Sequence, residues 1–327
     1  MTDITTVQPL LAPVGLGDLR LPNRVVMAPV TRARAGDGLV PTELHAVYYG
    51  QRASAGLIVT EGTWVGERAI GFPKVPGVYS AEQVAAWRRV TDVVHALGGR
   101  IVVQLWHAGA AAPGELSAAD IRDVVADFAS AAVRAREAGF DGVEVHAVGA
   151  FLLPRFLNAR TNARTDGYRG GRLLFEVVDA VGAVWGAGRV GVRVSPYWAE
   201  GEGFVPDQST VDAYEEYAAG LGARRLAYLH VRGPELSGAA PDPADFARYR
   251  RAFGGPLIAN LGFDRESGNA IVQAGAADAV SYATHYIANP DLVARFAWGR
   301  EPAVGDPATY YQGGAEGYVD YPGTRWP

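Results

Sequence analysis

The sequence predicts a (β/α)8 barrel, an α/β fold built on one closed parallel sheet. Three observations lead there. Eight short runs of apolar, largely β-branched residues recur along the chain, as expected of strands buried on both faces. Ala-rich stretches of helical length stand between them, and such alternation implies parallel strands joined by crossover helices. The length, 327 residues, suits one barrel and requires no second domain.

The strands are expected at Arg24–Pro29, Leu57–Glu61, Ile101–Leu105, Gly142–His146, Val190–Val194, Leu226–Val231, Pro256–Asn260 and Asp278–Tyr282. Helices are expected at Ala81–Ala96, Ala118–Ala138, Leu173–Trp185, Ser209–Leu221 and Arg265–Ala274. Asp or Ser stands near several of their starts, and Gly98, Gly139, Gly222 and Gly275 follow their ends. A doubly wound open sheet is the competing architecture. It usually carries a Gly-rich phosphate turn after its first strand, whereas Val30-Thr31-Arg32 follows here. The aromatic, Pro-rich tail from Tyr318 to Pro327 is expected to pack on the barrel, with a neighbouring copy as the other surface open to it.

Composition excludes several classes of function. A net charge of −5 gives no footprint for nucleic acid or an anionic membrane. The absence of cysteine rules out disulfides, thiolate nucleophiles and Cys-bound metal, and fits a reducing cytoplasm. The six histidines are scattered without an HExxH pattern, so no metal site is expected. Met1–Leu11 lacks the charged and apolar regions of a signal peptide, and no apolar run is long enough to span a bilayer.

Chemistry in such a barrel collects at the C-terminal ends of the strands. Polar side chains stand there at Thr31, Glu61, Gln104, His107, His146, Arg193, His230 and Asn260. A Gln or Asn at a strand end commonly satisfies a loop, and His146 fits a hydrogen-bonded core histidine as well as a ligand. Arg193 is more informative, because a guanidinium in a barrel mouth needs an anionic or carbonyl-rich partner. Gln104 and Arg193 also fit hydrogen bonds to each other or to the rim.

Longer stretches carry a family resemblance. LPNRVVMAPVTRARA (Leu21–Ala35), VPTELHAVYYGQRASAGLIVTEGTWV (Val40–Val65), PGVYSAEQVAAWRRVTDVVHALGGRIVVQLWHAG (Pro76–Gly109), IANPDL and GGAEGYVDYP (Gly313–Pro322) resemble the Old Yellow Enzyme family, in order and over most of the chain. The resemblance implies an FMN-binding barrel and an ene reductase. It assigns the flavin ring to the backbone at Ala28 and Pro29 and to the side chains of Thr31, Gln104 and Arg193, with Arg193 at the N1–O2 edge. It also implies that Trp106 and Tyr311 line the substrate cavity, which packing explains equally well.

Other family motifs are altered. Where the family has H-x-x-N-x-Y or H-x-x-H-x-Y, this chain reads His146-Ala-Val-Gly149-Ala-Phe151. One substrate hydrogen-bond donor and the tyrosine acid are therefore replaced. The family's N-G-G and F-G-R phosphate segments read Asn260-Leu261-Gly262 and Tyr282-Ala283-Thr284. The phosphate arginine is thus Thr284, and two glycines have gained side chains. A lost charge-assisted hydrogen bond costs about 1.5–3 kcal/mol. The long excursion after His107 and the segment around Tyr168–Arg172 are shortened as well.

These changes fall on separate parts of one redox mechanism. The expectation they support is a flavin-independent barrel with no cofactor, catalysing a redox-neutral cyclisation, isomerisation or cycloaddition of a bulky polyketide-type small molecule. His146, Arg193 and Gln104 are then the catalytic candidates. Thr31, Trp106, His107, Phe151 and Tyr311 line the substrate site, and an acidic enol or carboxylate head accounts for Arg193. Two alternatives stand beside it: an FMN-dependent NAD(P)H reductase of activated alkenes, in which Ala28, Pro29, Thr31, Gln104 and Arg193 bind FMN, and a ligand-binding protein without catalysis.

Overall fold

A computed structural model describes residues 8–235 and 240–323. Residues 1–7 of the N-terminal segment and 324–327 of the aromatic tail lie outside the described residues. The chain opens with a hairpin, β1 (Val14–Leu16) and β2 (Leu19–Leu21). Eight parallel strands then close into a barrel: β3 (Val25–Met27), β4 (Leu57–Trp64), β5 (Ile101–Trp106), β6 (Gly142–Ala147), β7 (Val190–Val194), β8 (Tyr228–Arg232), β9 (Leu257–Asn260) and β10 (Ala279–Tyr282). Their spatial order is their chain order, and β10 pairs with β3 to complete the ring. All eight expected strands are present, with ends displaced by up to three residues.

Helices α1 (Glu43–Gly50), α2 (Ala81–Ala96), α3 (Ala118–Glu137), α4 (Leu152–Leu157), α5 (Arg172–Trp185), α6 (Gln208–Gly222), α7 (Pro243–Phe253) and α8 (Arg265–Gln273) connect the strands, and α9 (Thr284–Ala288) and α10 (Leu292–Ala297) follow β10. Side-chain caps start several of them. Ser80 accepts from the Gln83 amide at α2, Ser117 from Asp120 at α3 and Asp264 from Ser267 at α8. Gly98, Gly139 and Gly275 take positive φ after their helices, as helix-terminating glycines do. Gly222 instead closes α6 itself, where a Cβ would lie 1.9 Å from the Phe253 carbonyl oxygen. It is needed for the approach of α7 rather than for a turn. Among the described residues no helix is long and apolar enough to cross a membrane.

The hairpin was not foreseen. Leu16, Leu19 and Leu21 form a cluster with Val26, Leu57, Val102 and Ile258 of the strands, so the hairpin closes the N-terminal end of the barrel. Gly17 turns it at φ 56°, with Ala227 Cα only 2.7 Å from where a Cβ would stand. At the opposite end the C-terminal segment is held by cations. Arg32 donates to the carbonyls of Tyr310 and Gly317, and Arg34 to those of Thr309 and Gln312. Tyr318 is buried and stacks on Tyr48 at 4.1 Å.

Candidate functional site

The C-terminal strand ends open on a cavity of about 620 Å³, within the range of small-molecule sites. Pro29 and Thr31 border it after β3, Gln104 and Trp106 on β5, His146 on β6 and Arg193 on β7. Phe151 and the largely exposed Tyr311 also line it. The barrel thus brings together most of the residues singled out from the sequence.

Of the residues assigned to catalysis, substrate or flavin, Ala28 and His107 do not reach this cavity. Ala28 is buried, and its amide donates to the Tyr282 carbonyl across the β10–β3 seam. His107 points into a separate pocket of about 190 Å³ beside Arg68 and Leu152, where its Nδ1 accepts from the Gly109 amide. Burial and then the Arg68 charge lower its pKa to about 4. Glu61 is also spent on structure, since it accepts from the Arg32 and Ala33 amides and fixes the loop that carries Thr31.

A buried polar network underlies the cavity. The Glu144 carboxylate accepts from Gln104 Nε2 at 2.7 Å and from His230 Nδ1 at 2.9 Å, while His230 Nε2 meets Ser281 Oγ at 2.7 Å. Burial drives the Glu144 pKa up, but the His230 charge and hydrogen bond, with Arg193 and Gln104, bring it below its ordinary value. Burial lowers His230 against the pull of Glu144. His230 Nδ1 donates to the Glu144 carboxylate, and Nε2 pairs with the Ser281 hydroxyl. The network also fixes the amide of Gln104. Its nitrogen must face the carboxylate, so its Oε1 remains as an acceptor for the cavity.

Arg193 supplies the opposite character. Nη2 donates to Asn260 Oδ1 at 2.7 Å, and Nε is buried without a hydrogen-bond partner among the described residues. Burial, with Arg232 beside it, lowers its pKa to about 10 against the attraction of Glu144, and the group is cationic at neutral pH. Next to it, burial and then Arg193 push His146 down to about 3, so this imidazole is neutral, with Nδ1 also unpartnered. Trp106 forms the apolar wall. It stacks on Trp64 at 4.4 Å and meets the Phe151 ring edge-on at 4.8 Å. Gly62 permits this, because a Cβ there would lie 2.5 Å from the Trp106 ring.

A second lobe of about 410 Å³ lies between the ends of β9 and β10. It shares Arg193, Arg232, Ala283 and Thr284 with the main cavity. Leu261 holds φ 87° and Gly262 φ 78°, so the turn keeps a backbone shape suited to glycine although Leu stands there. Leu261 and Ala283 border the lobe without filling it.

Sequence reasoning missed Glu144 and Arg232. A signal existed for each. Glu144 interrupts the apolar run GVEVH, and Arg232 follows LHV at a strand end as Arg193 follows VGV.

Comparison with known proteins places this geometry. The model of the NADH:flavin oxidoreductase / NADH oxidase family matches residues 9–118 and 113–302. The chain is 36% identical to 12-oxophytodienoate reductase 1 of Oryza sativa subsp. japonica, over 96% of this chain and 93% of that protein. It is 35% identical to the "Probable flavin mononucleotide-dependent alkene reductase" of Leishmania infantum, over 97% and 98%. Morphinone reductase in complex with tetrahydroNAD superposes with a TM-score of 0.90 at 38% identity, covering 97% of this chain and 98% of that one.

These findings correct two expectations. A flavin-independent cyclase or isomerase, and a site without cofactor, are both overturned by matches to an FMN oxidoreductase family and to reductases along the whole chain. The physical reason lies in the second lobe. The changes at 261, 283 and 284 are expected to weaken the grip on a phosphate, whereas these residues border a space that is open and joined to the main cavity.

Proposed function

The chain belongs to the NADH:flavin oxidoreductase / NADH oxidase family, the Old Yellow Enzyme family, and on that premise we propose that it is an FMN-dependent reductase that uses NADH or NADPH to reduce alkenes activated by a carbonyl group. The observation that carries this reading is the pairing of Arg193 and Gln104 at the cavity floor. One offers a buried cation with an unpartnered N–H, and the other an acceptor oxygen whose direction Glu144 fixes. The pyrimidine edge of an isoalloxazine carries carbonyl oxygens and one N–H, which such a donor–acceptor set complements. FMN, when bound, would supply hydride transfer between the nicotinamide and the alkene.

The residues of the chain do the rest. With FMN in the cavity, Arg193 would favour negative charge on the ring, with Pro29 and Thr31 lining the same space, and Arg193 would serve the cofactor rather than an acidic substrate head. Neutral His146 offers one hydrogen bond to a substrate carbonyl. Gly149 gives no second side-chain donor, and its amide is committed to Ser195 Oγ at 3.0 Å. Phe151 cannot donate a proton, so the proton at the substrate carbon comes from water in the open mouth. The Trp106, Phe151 and Phe72 rings give the substrate an apolar wall.

The test is the visible spectrum of the purified protein after incubation with FMN and removal of the unbound fraction, followed by NADH- or NADPH-driven reduction of a cyclic enone. A retained flavin spectrum with enone-dependent nicotinamide oxidation is expected. A protein that retains no flavin would sink the proposal.

A further inference from the structure

Two guanidinium groups share this mouth, and only Arg193 has been given a task. Arg232 ends β8 and stands opposite Asn260 of β9 in the sheet. It lines the main cavity and the second lobe alike, so it sits where they join. Its guanidinium lies over Trp198, 4.7 Å from the ring centre, and Nη2 donates to Glu235 at 2.6 Å. Among the described residues no other side-chain nitrogen of Arg232 has a hydrogen-bond partner. The fork is held in place with most of its donors uncommitted.

The lobe that Arg232 faces is built for an anion. The amides of Gly262 and Phe263, on the turn after β9, have no hydrogen-bond partner among the described residues. Consecutive free amides on such a turn favour negative charge. The acid that borders the lobe, Asp264, is committed to the amide and hydroxyl of Ser267. Two guanidiniums bordering one partly buried space repel each other until an anion joins them. Position 284, where the family motif has its phosphate arginine, offers only a hydroxyl.

We propose that Arg232 is the cation that binds the FMN phosphate in this protein, taking from β8, two strands away in the barrel, the role that Thr284 leaves open; this rests on the flavin reading above. Glu235 and Trp198 hold the guanidinium until the phosphate arrives, and the Gly262 and Phe263 amides complete the site.

Titration of flavin-free protein with FMN and with riboflavin, followed by quenching of flavin fluorescence, tests this. Riboflavin lacks the phosphate, so it also reports on the fold and the ring site. The wild-type protein is expected to prefer FMN. Arg232→Gln is expected to weaken FMN by about 10- to 100-fold, the range for a charge-assisted contact, and to leave riboflavin unchanged. Adding Thr284→Arg to Arg232→Gln is expected to restore the preference. The assignment is overturned if Arg232→Gln weakens both flavins equally, if it changes neither, or if the wild-type protein binds both alike. Wild-type protein that binds neither flavin overturns the underlying reductase reading and this assignment with it.

Discussion

Arg193 and Asn260 meet at 2.7 Å across the barrel mouth, and this bond holds the guanidinium while its Nε stays buried and unpartnered. A buried donor without a partner costs about 1–3 kcal/mol, a cost that a ligand in the cavity relieves. Arg193→Met is therefore expected to lower FMN affinity by about 10- to 100-fold, and riboflavin affinity by the same factor, because the contact is with the ring. Equal flavin affinities in Arg193→Met and wild type would remove Arg193 from the cofactor site.

The proton donor is the next point of test. Phe151 packs edge-on against Trp106 and lies 5.5 Å from the His146 ring, so a hydroxyl on it would enter the substrate cavity. A positioned general acid contributes about 10²–10⁴-fold where protonation limits the rate. Phe151→Tyr is expected to raise enone turnover by at least about tenfold with little change in flavin affinity. Steady-state kinetics with a cyclic enone would read this. An unchanged kcat would mean that water already delivers the proton faster than the slow step.

Glu144 tests the buried network. Glu144→Gln puts an amide between two donors, Gln104 Nε2 and His230 Nδ1, and removes the negative charge that favours the Arg193 cation. Removing one partner from a buried charged network costs about 3–5 kcal/mol. A lower denaturation midpoint is expected, with weaker flavin binding as Gln104 loses its fixed direction. If Glu144→Asp restored binding more than stability, the carboxylate would matter chiefly through Gln104.

Leu261 carries a different kind of strain. Its φ of 87° lies in the left-handed region, which costs a side-chain-bearing residue about 1–2 kcal/mol, whereas glycine loses about 0.5–1 kcal/mol in chain entropy. Leu261→Gly is expected to stabilise the protein by about 0.5–1 kcal/mol, the difference of those terms, and to tighten FMN by giving the second lobe more room. Thermal unfolding with and without FMN separates the two effects. A fall in the midpoint would show that Leu261 packing outweighs the strain.

The sequence was most legible where one periodicity governed. Buried strands and capped helices pointed to the barrel, and the retained motifs pointed to Gln104, His146 and Arg193, which the fold brings to one cavity. The hairpin escaped because Val14–Leu16 and Leu19–Leu21 are three residues each, too short for a period to emerge. Glu144 and Arg232 escaped because each acts through neighbours that only the closed barrel assembles. The second lobe was misjudged for a related reason. Substitutions at 261, 283 and 284 name the side chains that changed, while the space left depends on backbone angles such as the retained turn at Leu261 and Gly262. Across-strand compensation, as argued for Arg232, is equally invisible to position-by-position reading.

Two buried histidines contribute to the loss of stability in acid. His146 and His107 titrate near 3 and 4 in the folded protein, against an ordinary value of 6.5, with burial as the larger cause in both. Between those values the unfolded chain binds protons that the folded chain refuses. Their contribution to stability is thus whole above about pH 6.5 and is lost as pH falls toward the folded values. For His107 the loss is on the order of 3–4 kcal/mol, at about 1.4 kcal/mol for each pKa unit. His107 lies outside the main cavity, so His107→Asn is expected to flatten the fall in the urea midpoint between pH 6.5 and 4 while leaving the FMN spectrum unchanged. His146→Asn is expected to flatten the same curve and to lower enone turnover as well. Parallel acid curves for His107→Asn and wild type would mean that His107 is protonated within the fold, and that its burial does not exclude the charge.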